Sequence, residues 1–421
     1  MSTNYFIQKS FVMGSGERYC LLVDRETGLP LYYPNLFCTT QVRNASLSYS
    51  AMCSALGGIA TLLRFMEERN EDIEMRFGKY EFFEVHELDA IRDYCQSKFR
   101  VRTMTPDPNG VFSLKELREV DAKVNSQTEY VRLTVISQYV NWLSKALVGS
   151  KGGNDVSQRV AAMTNGLIAR RPLKQGRNSG LVEKGLDSQQ LDMLFEIIRP
   201  GSDLNPIINK SVQVRNRLII LLLYHLGIRG GELLNIRIKD IDFNNNQLVI
   251  VRRADQKDDP RADMPLVKTL DRRIPMKDTL VKEIHNYILQ HRKKIVRKGL
   301  PDYLIVTHKN GPTKGHPLSK SGYEDVISVV KKVSPALYNL TGHQLRHVWN
   351  EKFSDLMDSM DEPPDLESQE NSRSDMMGWR RGSGTAATYN KRFIKKKAVE
   401  ASLKLQENMM RLPKGLKNEE H

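Results

Sequence analysis

Cysteine is scarce in this sequence: Cys20, Cys38, Cys53 and Cys95 are the four in 421 residues, and none stands in a C-x-x-C pair. That spacing excludes a disulfide framework and a structural zinc ribbon, and it points to a reduced compartment. Long apolar runs are missing as well. The longest, from Leu218 to Leu226, is far short of the roughly 20 residues needed to span a bilayer. Met1 to Ser10 lacks the basic-then-apolar pattern of a secretory signal. No unit of about 20 to 50 residues recurs, which excludes a solenoid. The glycine pair Gly230-Gly231 is not followed by the Lys-Ser/Thr of a phosphate loop, and carboxylates do not cluster as metal ligands do. Acid is also in deficit: 50 Asp plus Glu face 64 Lys plus Arg, a formal charge of +14. A surplus of that size suits a polyanionic partner. These exclusions leave a soluble, cytoplasmic, multidomain protein that handles nucleic acid.

What is present divides the chain into segments. Residues 1–45 read as a β-rich extension, with Tyr19-Cys20-Leu21-Leu22-Val23, a turn at Glu26-Thr27-Gly28, and Leu31-Tyr32-Tyr33. Residues 46–148 change to a helical period. Leu56, Ile59, Leu63 and Met66 share a face, as do Leu88, Ile91, Cys95 and Phe99. A third helix follows the capping box Ser126-Gln127-Thr128-Glu129. Residues 149–185, rich in Gly, Lys, Arg, Ser and Asn, read as a basic linker that tracks nucleic acid through Arg170, Arg171, Lys174 and Arg177. Residues 186–397 read as a second domain, α+β and mainly helical, with a small antiparallel sheet from Gln247–Arg252, Arg273-Ile274-Pro275 and Tyr303–Thr307. Its helices are expected from Ser188, across Leu218–Leu226, and over Asp278–Ile295, Ser321–Val333 and His343–Phe353. The acidic stretch from Ser354 to Asp375, interrupted by Pro363-Pro364, reads as a solvated insertion loop. Residues 398–421 form a C-terminal tail with an amphipathic helix from Ala398 to Leu412.

Three short segments carry chemistry. Leu226-Gly227-Ile228-Arg229-Gly230-Gly231-Glu232 sets an arginine where an apolar helix ends against glycines. Alone it reads as a capping cation, although the glycines also let a phosphate approach the backbone. Thr341-Gly342-His343-Gln344-Leu345-Arg346-His347 puts His343 and Arg346 on one helical face. Met377-Gly378-Trp379 is followed ten residues later by Tyr389.

Taken in this order, the segments resemble the boxes of the tyrosine recombinase (phage integrase) family over about 186–395. The stretch LGIRGGELL is similar to the family's first arginine box, TGHQLRH to its His-x-Leu-Arg-His box, and MGWRRGSGTAATY to the box that ends in the nucleophile. The helical region before them is similar to the family's core-binding domain. The resemblance implies that Tyr389 attacks a DNA phosphate to form a 3′-phosphotyrosyl link and free a 5′-hydroxyl. Arg229 and Arg346 would hold the nonbridging oxygens, and His343 would help remove the phenolic proton. His347 would buttress the site, and Glu232 would either orient Arg229 or serve as an ordinary first-turn carboxylate. Trp379 stands where most members carry a second histidine. The family's catalytic lysine lies on a β-hairpin ahead of a strand ending in proline; Lys268 fits that place, with Lys257 as the alternative. The implied partners are double-stranded DNA, a homo-tetramer on synapsed DNA formed by a protein that is a monomer or weak oligomer when free, and accessory DNA-bending proteins. No cofactor, metal or membrane is implied, and in a bacterium the protein would associate with the nucleoid as part of a mobile element. Two other readings are a type IB topoisomerase, which shares the chemistry without synapsis, and a catalytically silent DNA-binding accessory protein.

Overall fold

The computed structural model describes residues 5–45, 48–98, 123–149, 153–173, 185–382 and 397–406. Packing divides the chain into two units, Met1–Leu181 and Val182–His421.

The first unit opens with the antiparallel hairpin β1 (Phe6–Val12) and β2 (Arg18–Asp24), in which Ser10 faces Cys20. Cys20 and Leu22 are fully buried and share one core with Met52, Leu56 and Ile59 of the helix Tyr49–Glu67. The extension therefore folds as part of the helical unit. The strand expected at Leu31-Tyr32-Tyr33 is instead the start of a helix, Tyr32–Phe37, which continues as a π-turn over Cys38–Arg43. The reason is a contact across 13 residues. The Asn35 side-chain amide accepts from the Leu22 N–H and donates to the Leu22 carbonyl, both at 2.8 Å, so it pairs the free edge of β2 as a strand would.

Helices Val85–Cys95 and Ser126–Val148 complete the core through Leu88, Ile91, Leu133, Ile136 and Val140. The longer one is capped by Asn125, one residue ahead of the expected Ser126, through a 2.8 Å bond from the Thr128 N–H. Phe99, expected on the earlier face, lies outside the described residues. The expected linker 149–185 holds a further helix, Asn154–Ala169, whose Val160, Met163 and Leu167 are buried at helical spacing. Its polar composition hides a narrow apolar stripe. Arg170 at its end is bound to Asp89 at 2.7 Å, and Arg171 lies 5.0 Å over the Tyr130 ring, so each has an intramolecular partner. Lys174 and Arg177 lie outside the described residues.

The second unit is built around Lys210–Leu226, whose Leu218, Ile219, Ile220, Leu222 and Leu223 are nearly inaccessible. Ser188–Ile198, capped by Asp187, packs beside it. The sheet has the order β3 (Ile241–Asp242), β4 (Gln247–Ile250), β5 (Arg272–Pro275), all antiparallel, with Leu248 between Ile241 and Ile274. The expected strand Tyr303–Thr307 makes only single bridges, Arg237 to Tyr303 and Val306 to Pro317, although Leu304 to Val306 are buried. Helices Asp278–Asn286, Lys320–Lys331, Gly342–Asp358 and Leu366–Met377 surround this core.

The acidic stretch Ser354 to Asp375 is therefore mostly helical, and the loop expected there shrinks to 359–365. Asp365 caps the second helix by accepting from the Ser368 N–H at 2.8 Å. The fully buried Arg373 fastens it by a 2.6 Å bond to Ser354 Oγ, with its guanidinium 5.3 Å from the Phe353 ring. Among the described residues no helix is long and apolar enough to cross a membrane.

His308 sits at the edge of this core, 5% exposed, with Nδ1 3.0 Å from Ser211 Oγ and Nε2 3.1 Å from Tyr287 Oη. Burial first, then the charges of Arg215, His291 and Lys314, push its pKa down to about 3. The unfolded chain binds this proton near pH 6.5 and the folded chain does not, so stability is held above pH 6.5 and lost as pH falls toward 3. The loss is expected to reach at most roughly 4 to 5 kcal/mol. Urea unfolding between pH 7 and 4 should show this limb, and His308→Gln should flatten it.

Candidate active site

The Lys210–Leu226 helix ends at Gly227, whose φ of 59° is left-handed. A β-carbon there would lie 2.8 Å from the Trp349 ring, so the close turn requires glycine. The turn delivers Arg229 to the first turn of a short helix, Gly230–Leu233. There Glu232 accepts from the Arg229 backbone N–H at 3.1 Å and lies 3.4 Å from its guanidinium. The Arg229 side chain keeps 31% of its surface exposed, whereas that of Glu232 keeps 1%. The arginine is thus gripped from within and open outward.

A buried carboxylate needs compensation, and here it has three partners. Arg272 Nη2 donates to Glu232 Oε2 at 2.8 Å, Thr269 Oγ1 donates to Oε1 at 2.7 Å, and Arg229 supplies the third. Burial pushes the Glu232 carboxyl up. The Arg272 charge and hydrogen bond, the Arg346 charge and the Thr269 hydroxyl outweigh it and hold the group below the usual carboxylate range. Arg272 also donates to Thr269 Oγ1 at 3.0 Å and to the Met376 carbonyl at 2.8 Å. The Leu270 N–H bonds the Gly378 carbonyl at 2.9 Å. The residues just after Lys268 are therefore pinned between Glu232 and the Met376-Met377-Gly378 segment, while Lys268 itself is exposed. Lys257 is also exposed, beside Asp258 and Asp259, which bind Arg237 and Arg261 instead.

Arg346, 1% exposed, rises from the Gly342–Asp358 helix and reaches two other segments. Nη1 donates to the Gly227 carbonyl at 2.6 Å and Nη2 to the Met377 carbonyl at 3.2 Å. Its guanidinium lies 5.1 Å from the centroid of the buried Trp379 ring. Asn350 donates to the Arg346 carbonyl at 2.7 Å. One turn N-terminal of Arg346, His343 is exposed, and the half-buried His347 meets it edge to face at 4.7 Å between centroids.

The structure thus brings Arg229, Glu232, Arg346 and Trp379 together, with Lys268 on an adjoining pinned loop and His343 at the mouth of the Arg346 helix. Tyr389 lies outside the described residues. Sequence reasoning missed Thr269, Arg272 and Asn350. A signal for Arg272 was present, because alternation in β5 places it on the same inward face as Ile274. An arginine at a core position demands a buried partner.

The Glu232–Arg272 pair generates a stability prediction. Arg272→Met leaves the Glu232 charge short of its main partner and should destabilise the protein by about 3 to 5 kcal/mol. Adding Glu232→Gln should recover part of that loss, read from urea midpoints at pH 7. Equal midpoints for the single and double variants would count against the pair.

Residues 184–355 match the family model described as the phage integrase family. Among curated proteins, the chain is 29% identical over 136 residues to tyrosine recombinase XerC of Staphylococcus epidermidis, covering 32% of this chain and 39% of that protein. It is 31% identical over 147 residues to tyrosine recombinase XerA of Pyrococcus horikoshii, covering 34% and 43%. The chain thus spans about two fifths of the length of the curated relatives it matches. Among solved structures, XerH site-specific recombinase bound to difH substrate aligns with a TM-score of 0.40 and 15% identity, covering 87% of this chain and 92% of that one. XerA recombinase aligns with a TM-score of 0.34 and 15% identity, covering 85% and 91%. Over residues 184–355, then, the chain carries a domain of the phage integrase family.

Proposed function

We propose that this protein is a site-specific DNA recombinase that cleaves and rejoins strands through a phosphotyrosyl link to Tyr389. The observation that carries this reading is the union of Arg229 and Arg346 around one buried carboxylate, with His343 one turn from Arg346. Planar guanidinium forks match the nonbridging oxygens of a phosphodiester, whose charge rises as a fifth oxygen adds. A phenol with a pKa near 10 is mostly protonated at neutral pH, so the attack needs an acceptor, and His343 takes the proton. The Tyr389 oxygen bonds to phosphorus as the bond to the 5′-oxygen breaks, and Lys268 protonates that oxygen as it leaves. The Trp379 ring, 5.1 Å from the Arg346 guanidinium, favours its charge. The phosphotyrosyl ester conserves the energy of the broken bond, so rejoining to a second duplex requires no nucleotide. Synapsis of two duplexes by a tetramer, with accessory DNA-bending proteins, belongs to the same proposal.

Tyr389→Phe should abolish covalent protein–DNA adducts on a nicked suicide substrate while leaving DNA affinity within a few-fold. Adducts from that variant would mean another nucleophile. Cleavage should persist in EDTA, since arginines supply the positive charge. Joining of two different duplexes, as opposed to relaxation of one, separates recombination from topoisomerase action.

The lysine has its own test. Lys268→Ala should slow cleavage by about 10²–10⁴, the range for a positioned acid. A substrate with sulfur at the 5′-bridging position leaves without protonation, so Lys268→Ala should cut it at nearly the wild-type rate. Arg229→Ala should stay slow on both substrates. Rescue of Lys257→Ala in place of Lys268→Ala would reassign the acid to the other lysine.

A further inference from the structure

Two glycines flank the proposed phosphate-binding residues, Gly230 directly after Arg229 and Gly342 directly before His343. They come from distant parts of the chain, yet both press on one side chain, Tyr323 of the Lys320–Lys331 helix. A β-carbon on Gly230 would lie 2.9 Å from the Tyr323 ring, and one on Gly342 would lie 1.8 Å from its Oη. The ring is half-buried and packs against the core of this unit. Its helix is held at the start by Ser319, which accepts from the Gly322 N–H at 3.0 Å. A rigid aromatic therefore fills the space between the backbone of the Arg229 turn and that of the His343 turn.

We infer that Tyr323 is a positioning residue: its ring sets the separation between Arg229 and His343, on either side of the reacting phosphate. The inference rests on the recombinase reading and deepens it. The Arg346 bond to the Gly227 carbonyl already ties the His343 helix to the Arg229 turn, and Tyr323 is a second contact between the two. Arg229 is held by Glu232, and His343 begins a helix whose anchor, Arg346, lies one turn further along. Glycine at both contact points is what allows the ring to touch both backbones. Burial first, and then the neighbouring Glu324 charge, push the Tyr323 pKa up to about 12, so the strut stays neutral at working pH. A misplacement of about 1 Å can cost about 10²-fold in rate, so a spacer at this point acts on cleavage more than on binding.

The test uses the full chain and single-turnover cleavage at saturating duplex carrying its target site. Measured well below its melting temperature, which falls because the ring packs on the core, Tyr323→Ala should cut about 10- to 100-fold slower, with DNA affinity within about two-fold. Sulfur at the 5′-bridging position should not rescue it, unlike Lys268→Ala. Tyr323→Phe, which keeps the ring, should stay within a few-fold of wild type. Gly342→Ala drives a methyl group into the Tyr323 oxygen and should slow cleavage at least about 10-fold. Tyr323→Phe should suppress that defect, because it removes the atom that collides. Wild-type cleavage by Tyr323→Ala would overturn the inference. So would a rate loss matched by an equal loss of affinity, or a failure of Tyr323→Phe to suppress Gly342→Ala. If the wild-type protein forms no adduct on that duplex while binding it, the recombinase reading itself fails, and the inference falls with it.

Discussion

The site depends on one buried ion pair, Glu232 with Arg272. A carboxylate and a guanidinium both removed from water lose several kcal/mol of hydration each, and only close geometry with every lone pair satisfied offsets that loss. The structure meets the demand by bringing partners from three places: the first turn after Arg229, the loop after Lys268, and the carbonyl of Met376. Each partner is recruited by the pair's electrostatics, and each lies one to three residues from a side chain proposed to act on DNA. Stability and alignment are therefore the same requirement here. Gly378 shows how closely the segments are drawn together, since a β-carbon at its φ of 65° would meet the Leu270 carbonyl and an Arg272 nitrogen, each at 2.8 Å.

Arg346 solves a second problem of the same kind. The carbonyls at a helix C-terminus have no partners within the helix and carry the negative end of its dipole. Gly227 closes the Lys210–Leu226 helix and Met377 ends the Leu366–Met377 helix, and the carbonyls of both accept from Arg346. One guanidinium thus caps two helices. The helix that delivers His343 is fixed by the same contacts, so the histidine is aimed by a residue one turn behind it.

Much of this was legible in the sequence. The apolar helix around Leu218–Leu226 and the sheet strands near Gln247 and Ile274 follow from periodicity, which is a local pattern, whereas the Arg229, His343, Arg346 and Trp379 segments stood out through their resemblance to the boxes of a known family. What was not legible depends on partners remote in sequence. Asn35 turns an expected strand into a helix by pairing with Leu22. Asn154–Ala169 is read as linker because its apolar stripe is only Val160, Met163 and Leu167. The acidic stretch 354–375 is helical because Arg373 and Asp365 hold it, and charge count alone does not reveal a buried arginine. Thr269 and Arg272 are positioned by Glu232, which precedes them by 37 and 40 residues.

Charge balance in the site gives the last step. Among the described residues gathered there, Arg229, Arg272 and Arg346 face a single carboxylate, Glu232. If Glu232 only neutralised Arg272, the cluster would be a closed structural pair with no appetite for a ligand. Instead, among the described residues, guanidinium groups outnumber this carboxylate, and one of them, on Arg229, keeps 31% of its side chain exposed. Arg346 is held at 1% exposure, where burying its charge carries a desolvation cost. That cost is offset in part by carbonyl dipoles and the Trp379 face, which stabilise a cation without discharging it. A phosphodiester brings one negative charge, and a second develops as the fifth oxygen adds. On the recombinase reading proposed above, a positive excess at this site matches the charge of a cleavage transition state better than that of the DNA before cleavage, which is the condition for accelerating a step as well as binding its substrate.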